Sequence, residues 1–153
     1  MTLSSKMKLK SDMARSRAAG AKPSDENQKM TAENTEAMRT ILLRAADGTA
    51  DGVQLAAARL ADDVRIWQQG IGWLGKADKI KMWTETNTSG VQFEKRLISI
   101  VGEDDKVATE MLIAMPGTGS DYMVTMFAKF SGGRMIEGRE FLTPVAAAEI
   151  FAS

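Results

Sequence analysis

The sequence predicts an α+β fold in which helices from the first half of the chain pack against an antiparallel sheet built by the second half. Two patterns carry this. Ala37, Met38, Ile41, Leu42 and Ala45 recur at the spacing of one helix face. From Val91 to Thr143 apolar residues alternate with polar ones, in runs separated by short Gly-, Asp- and Ser-containing turns, which is the signature of successive hairpins. A third observation bounds the answer: 153 residues, 44% hydrophobic and 26% charged, suit about one soluble domain with a sizeable core.

Twenty basic and twenty acidic residues cancel, so nothing global calls for nucleic acid, an anionic membrane or an acidic substrate. The local balance differs. Lys6, Lys8, Lys10, Arg15, Arg17 and Lys22 face only Asp12 in residues 1–23, which leaves +5 there and −5 in the remainder. We therefore expect a solvated basic arm over 1–23 and a single domain over 24–153. The arm has no interleaved aromatics, which argues against nucleic-acid binding. Its Ser/Arg/Lys composition is shared with organellar transit peptides, but the plain expectation is a cytoplasmic chain. No apolar stretch approaches the roughly 18–20 residues that span a bilayer, so no membrane partner is expected.

Ser24, with Asn27 or Gln28, can cap the first long helix, which Asp47-Gly48 stops. Val53, Leu55, Ala56 and Leu60 then read as a second helix ending before Ala61-Asp62-Asp63. Val64, Ile66 and Trp67 make a brief strand. The following Gly70-Ile71-Gly72-Trp73-Leu74-Gly75 fits neither GxGxxG nor a Walker loop and reads as a plain turn. A third helix takes 76–86, with Ile80 and Trp83 on one side. Strands are expected over about 91–101, 106–115, 121–130 and 134–142 as an antiparallel meander, with a small helix over 146–151 after Pro144.

Cysteine and histidine are both absent, which removes disulfides, thiol nucleophiles, Cys/His zinc sites and Ser-His or Cys-His pairs. Acid–base work near neutrality would fall to Asp, Glu, Lys or Tyr in environments that shift their pKa. Neither Asp62-Asp63 nor Glu103-Asp104-Asp105 has calcium-loop spacing, and no metal is expected.

The order helix, helix, short strand, short helix, long meander resembles the nuclear-transport-factor-2-like superfamily, in particular its SnoaL-like, ketosteroid-isomerase-like and limonene-epoxide-hydrolase-like branch. The residues that carry the resemblance are Leu60-Ala61-Asp62-Asp63-Val64, Gly75-Lys76, Val107-Ala108-Thr109-Glu110 and Gly133-Arg134-Met135-Ile136-Glu137-Gly138-Arg139-Glu140-Phe141-Leu142, and it extends over about 31–144. It implies a cone in which a strongly curved antiparallel sheet wraps two to three N-terminal helices around a deep apolar pocket. It also implies cofactor-free isomerase, lyase, dehydratase or epoxide-opening chemistry on a small hydrophobic molecule, and homodimers joined through the outer sheet face. The alternative within the same fold is a non-catalytic module that binds a hydrophobic ligand or a partner.

Position by position, the resemblance puts the isomerase general base at Gln68 and the isomerase oxyanion donors near Arg44 and Met126. It puts the epoxide-hydrolase arginine and acids at Met111, Ile113 and Glu140. Glu140 alone keeps a working acid, so it is the expected catalytic residue. Arg44, Gln68, Trp67, Trp83, Met111, Ile113, Tyr122, Met126 and Gly138 are the expected substrate-binding set. Alternation should give Thr109, Met111, Ile113 and Met115 one inward face, Tyr122, Val124, Met126 and Ala128 a second, and Ile136, Gly138, Glu140 and Leu142 a third. The competing assignment for Glu140 is an ion pair with a lysine or arginine, Arg44 among them, or a position in solvent.

Overall fold

The computed structural model describes residues 24–115, 117 and 119–146. The expected basic arm lies outside the described residues, as does the expected C-terminal helix from residue 147 on. Helix α1, Asp25–Arg44, starts where Ser24 accepts a hydrogen bond from the Asn27 N–H at 3.2 Å, with Asp25 and Glu26 in its first turn and Arg44 in its last. It buries Asn34, Ala37, Met38, Ile41 and Leu42. Along its first half, the Asn34 amide donates to the Asp104 carbonyl at 2.9 Å and Thr31 Oγ1 accepts from the Asp104 N–H at 3.0 Å. The helix is thereby tied to a hairpin some seventy residues away.

Helix α2, Ala50–Ala57, is shorter than expected, because Leu60 belongs to the next strand. The turn before it is organised by Asp47, whose carboxylate takes the Thr49 N–H and hydroxyl and the Arg44 guanidinium. Burial works against the charge, yet the Thr49 and Arg44 bonds hold this carboxyl below its ordinary pKa. Thr49 in turn accepts the Gly52 N–H at 2.9 Å. The space a Cβ on Gly52 would need is occupied by the Arg44 carbonyl and the Asp47 carboxylate. Since one obstacle is backbone, Gly52→Ala is expected to cost roughly 2–3 kcal/mol of stability, measurable by urea denaturation.

Strand β1, Leu60–Gln68, turns back through Gly70 into the short β2, Gly72–Leu74, where a plain turn was expected; Trp67 pairs with Trp73. Helix α3, Lys76–Thr88, begins with the Asp78 carboxylate accepting the Gly75 N–H at 2.9 Å. The meander follows as β3 (Glu94–Glu103), β4 (Lys106–Met115), β5 (Ser120–Ser131) and β6 (Arg134–Val145). The sheet order is β2-β1-β6-β5-β4-β3. One expectation is corrected here: the sheet is curved and mixed, not wholly antiparallel, because β1 lies parallel to β6. Pairing starts where the Met135 N–H meets the Arg59 carbonyl at 2.8 Å, and this recruits fully buried Leu60 into the strand.

The inner face of the sheet and α1 share a core that includes Met38, Leu60, Ile66, Val107, Met126 and Met135. Each large apolar side chain fully withdrawn from water contributes about 1.5–3 kcal/mol. Register shifts interrupt the ladders at Leu97/Ser99 in β3 and Lys129/Phe130 in β5, and such bulges bend a sheet. The second shift corrects another expectation. Phe130 pairs with Met135 and Lys129 with Glu137, so Ile136 is the extra residue. Met135 therefore points inward with no exposure while Ile136 faces out, and the parity of Gly138 and Glu140 is unchanged. The outer face carries Val101, Phe127 and Trp73 well exposed.

Candidate functional site

The concave side of the sheet, the C-terminal half of α1 and the inward stripe of α3 enclose a cavity of about 180 Å³. Alpha1 and the residues after it contribute Ile41, Leu42, Ala45 and Ala46; β1 contributes Ile66 and Gln68. Lys79, Met82, Trp83 and Thr86 come from α3 at spacings of three, four and seven, the period of one helix face. Phe93 and Lys95 enter from the start of the meander, with Met111 and Ile113 from β4, Met126 from β5 and Glu140 from β6.

Glu140 is positioned by both neighbours of its strand. It pairs with Gln68 on one side and Met126 on the other, and its carbonyl accepts the Gln69 N–H at 3.0 Å. Its carboxylate receives Lys79 Nζ at 3.1 Å, and the same ammonium donates to Gln68 Oε1 at 3.1 Å. The side chains of Lys79 and Glu140 are only 5% and 19% exposed. Lys79 also stands 5.6 Å from the Trp83 ring centroid, within cation–π range. An ammonium, a carboxylate and an amide are thus clustered in a wall that is otherwise largely apolar.

The second cation of the cavity is Lys95, whose Nζ donates to the Leu42 carbonyl at 3.0 Å. Burial brings its pKa down to about 8, against the opposing pull of Asp47 and Glu140. The linkage follows. An unfolded lysine holds its proton up to its ordinary 10.5, whereas folded Lys95 releases it from about 8. The unfolded state therefore binds more protons between those values, and stability rises with pH across that window. Urea denaturation at a series of pH values should show this rise, and it should be absent in Lys95→Met.

Of the residues expected from sequence, Gln68, Trp83, Met111, Ile113, Met126 and Glu140 line the cavity. Gly138 lies beneath it, where an added Cβ would press on the Met126 methyl at 2.9 Å. Tyr122 shares the inward parity of β5 but sits between Ile113 and Pro144, outside the lining. Trp67 is on the outer face, 5.4 Å from the Phe141 ring. Arg44 is elsewhere too, bonded to Asp47 and Asp51. It borders a larger groove of about 660 Å³ with Arg39, Arg59 and Arg134. That groove is bigger, but it contains no buried charged pair, so the chemistry is read in the smaller cavity. Among the described residues no three acidic side chains gather into a cluster that could hold a metal ion.

Lys79 and Lys95 were missed by sequence reasoning, although both left a signal. Lys79 lies four residues before Trp83, and Lys95 alternates with inward-facing Leu97.

No protein-family model and no curated protein matches the sequence. Solved structures do match in three dimensions. A candidate SnoaL-like polyketide cyclase from Jannaschia sp. superposes with a TM-score of 0.64 at 14% identity, covering 80% of this chain and 91% of that one. A candidate ketosteroid isomerase from Kribbella flavida gives 0.62 at 16% identity, covering 80% and 90%. An epoxide hydrolase of M. tuberculosis, of the limonene-epoxide-hydrolase-like type, gives 0.60 at 19% identity, covering 74% and 84%. The chain has the nuclear-transport-factor-2-like fold. Identities this low carry the fold and not the chemistry. Within the nuclear-transport-factor-2-like fold, the helices and curved sheet bound the same concave space in which Glu140, Lys79 and Lys95 meet.

Proposed function

We propose that this chain is an enzyme that moves protons within a small hydrophobic molecule without a cofactor, in isomerisation, elimination, retro-aldol cleavage or epoxide opening. Glu140 is its acid–base group. The supporting observation is the largely buried Lys79–Glu140 pair on the wall of an apolar cavity. Two charges withdrawn from water incur desolvation costs that their attraction repays poorly, and apolar residues of similar volume would hold the fold as well. A pair kept where a ligand can reach it favours a chemical role over a structural one. Lys79 orients the carboxylate and balances its charge, while Met111, Ile113, Met126 and Trp83 supply an adaptable apolar surface for the substrate. Proteins described as a cyclase, an isomerase and an epoxide hydrolase share this fold, so the fold accommodates chemistry of this kind.

The test uses two probes. Deuterium exchange at the α-carbon of β-tetralone in deuterated water reads proton abstraction, and hydrolysis of styrene oxide reads epoxide opening. Activity on either that depends on Glu140 supports the enzyme reading. Binding of both without turnover selects the alternative, a hydrophobic-ligand-binding module of the same fold.

The exposed Val101, Phe127 and Trp73 on the outer sheet face favour one further element of this reading, a homodimer joined there. Sedimentation velocity giving a monomer at micromolar concentration would remove it.

A further inference from the structure

Two lysines line the cavity, and the acid–base reading uses only one of them. Lys79 is engaged by Glu140, Gln68 and the Trp83 ring. Lys95 is held differently. It projects from β3 beside Ile113, its cross-strand partner on β4, into space bounded by Phe93, Met111 and Trp83. Its Nζ bonds to one neutral acceptor, the Leu42 carbonyl in the last turn of α1. No carboxylate among the described residues lies within ion-pair distance of it; the pairs present join other cations. Asp47, from the turn after α1, and Glu140, from β6, act on it only through space, while Lys79 of α3 presents a like charge in the same cavity.

An amine placed in this way is suited to nucleophilic chemistry. An ammonium in an apolar wall without a counter-ion loses hydration and gains little in return, so a larger share than usual carries a free lone pair. With a pKa of about 8, roughly a tenth of Lys95 is free amine at pH 7. Desolvation in a hydrophobic pocket is one of the established ways a lysine becomes able to form Schiff bases.

We propose that Lys95 is a covalent nucleophile that forms a Schiff base with a small apolar aldehyde or ketone bound in the cavity. This deepens, and rests on, the reading of the cavity as a catalytic site, since it names the substrate class as carbonyl compounds. The Nζ lone pair attacks the carbonyl carbon; a C–N bond forms and the π pair moves to oxygen, which takes a proton from solvent, the one that leaves the imine with its positive charge. Nitrogen gives up a proton to the Glu140 carboxylate through an intervening water, since the two groups stand beyond ion-pair distance. Glu140 returns that proton to the departing hydroxyl, which leaves as water. One C–N bond is made, one water is released and nothing is oxidised or reduced. The protonated imine then withdraws the electron pair of a Cα–H bond, or of the Cα–Cβ bond of a β-hydroxy carbonyl compound, giving an enamine; Glu140 accepts the α-proton in the first case and, in the second, the β-hydroxyl proton as the β-carbon leaves as a carbonyl product. Isomerisation and retro-aldol cleavage share this sequence.

The competing assignment is that Lys95 only caps the Leu42 carbonyl at the end of α1. The full chain incubated with benzaldehyde and sodium cyanoborohydride distinguishes the two, because reduction locks an imine onto the lysine that made it and peptide mass mapping locates it. The expected result is labelling of Lys95 about tenfold or more faster than exposed Lys81 or Lys106, with a rate that climbs as pH passes about 8. In Lys95→Arg, which keeps the cation and its carbonyl bond but cannot form an imine, β-tetralone exchange should fall to background while circular dichroism is unchanged. Uniform labelling of all lysines overturns the proposal, and if Glu140-dependent exchange persists in Lys95→Arg, the acid–base reading survives alone. Selective labelling of Lys95 without any Glu140-dependent turnover upholds the nucleophile and removes the acid–base reading instead.

Discussion

Lys79→Met is expected to lower the unfolding free energy by roughly 2–4 kcal/mol, a little below the cost of leaving one member of a fully buried ion pair without the other, because Glu140 keeps some contact with water. The size follows from geometry. Methionine nearly matches the length of the lysine stem, so packing against Trp83 is largely kept and the loss is mainly electrostatic. What remains is a Glu140 carboxylate 3.1 Å from where its counter-ion was, and a Gln68 carbonyl oxygen deprived of its donor. The double variant Lys79→Met/Glu140→Leu removes both charges and should recover most of the loss, since an apolar pair of similar volume is often neutral or better at such a site. Urea denaturation of the four proteins closes the cycle. Additive losses, with no recovery in the double variant, would show that the two side chains do not act as a pair.

The second large effect concerns rate. Glu140→Gln should reduce turnover of whichever probe is active by about 10²–10⁴-fold, the usual contribution of a positioned acid–base group. Glutamine fills the same volume and its carbonyl oxygen still accepts from Lys79, so the wall keeps its shape while losing its proton-transferring group. The loss should therefore fall on kcat, with KM changed by less than about threefold, as for a group that acts mainly in the transition state. A matched rise in KM with kcat preserved would assign Glu140 to binding and defeat the acid–base role.

Much of the fold was legible in the chain. Ser24 marked the start of α1, the Ile41 and Leu42 stripe marked its buried face, and β4 could be bounded at Lys106 and Met115 because hairpin turns and period-two alternation are local signals. Leu60 was assigned to α2 because its helical spacing from Ala56 is a local cue. Its place in β1 depends on Met135, far along the chain, and local periodicity carries no information about a parallel neighbour. The bulge at Ile136 has the same character: an extra residue in one strand is visible only against the count in the other.

The candidate site divides along the same line. Sequence by itself determined the helix–sheet order, the inward faces of β4 and β5, the absence of histidine and cysteine, and Glu140 as an acid on an apolar face. Those properties depend on residue type and on spacing within one element. Only the tertiary structure decided that Lys79 of α3 meets Glu140 of β6, that Lys95 of β3 stands in the same cavity without a carboxylate partner, and that Arg44 and Trp67 lie outside it. The physical reason is that a buried charge is tolerable only in company. Which groups keep that company is set by how the curved sheet closes over the helices; Lys79 and Glu140 are sixty-one residues apart in the chain.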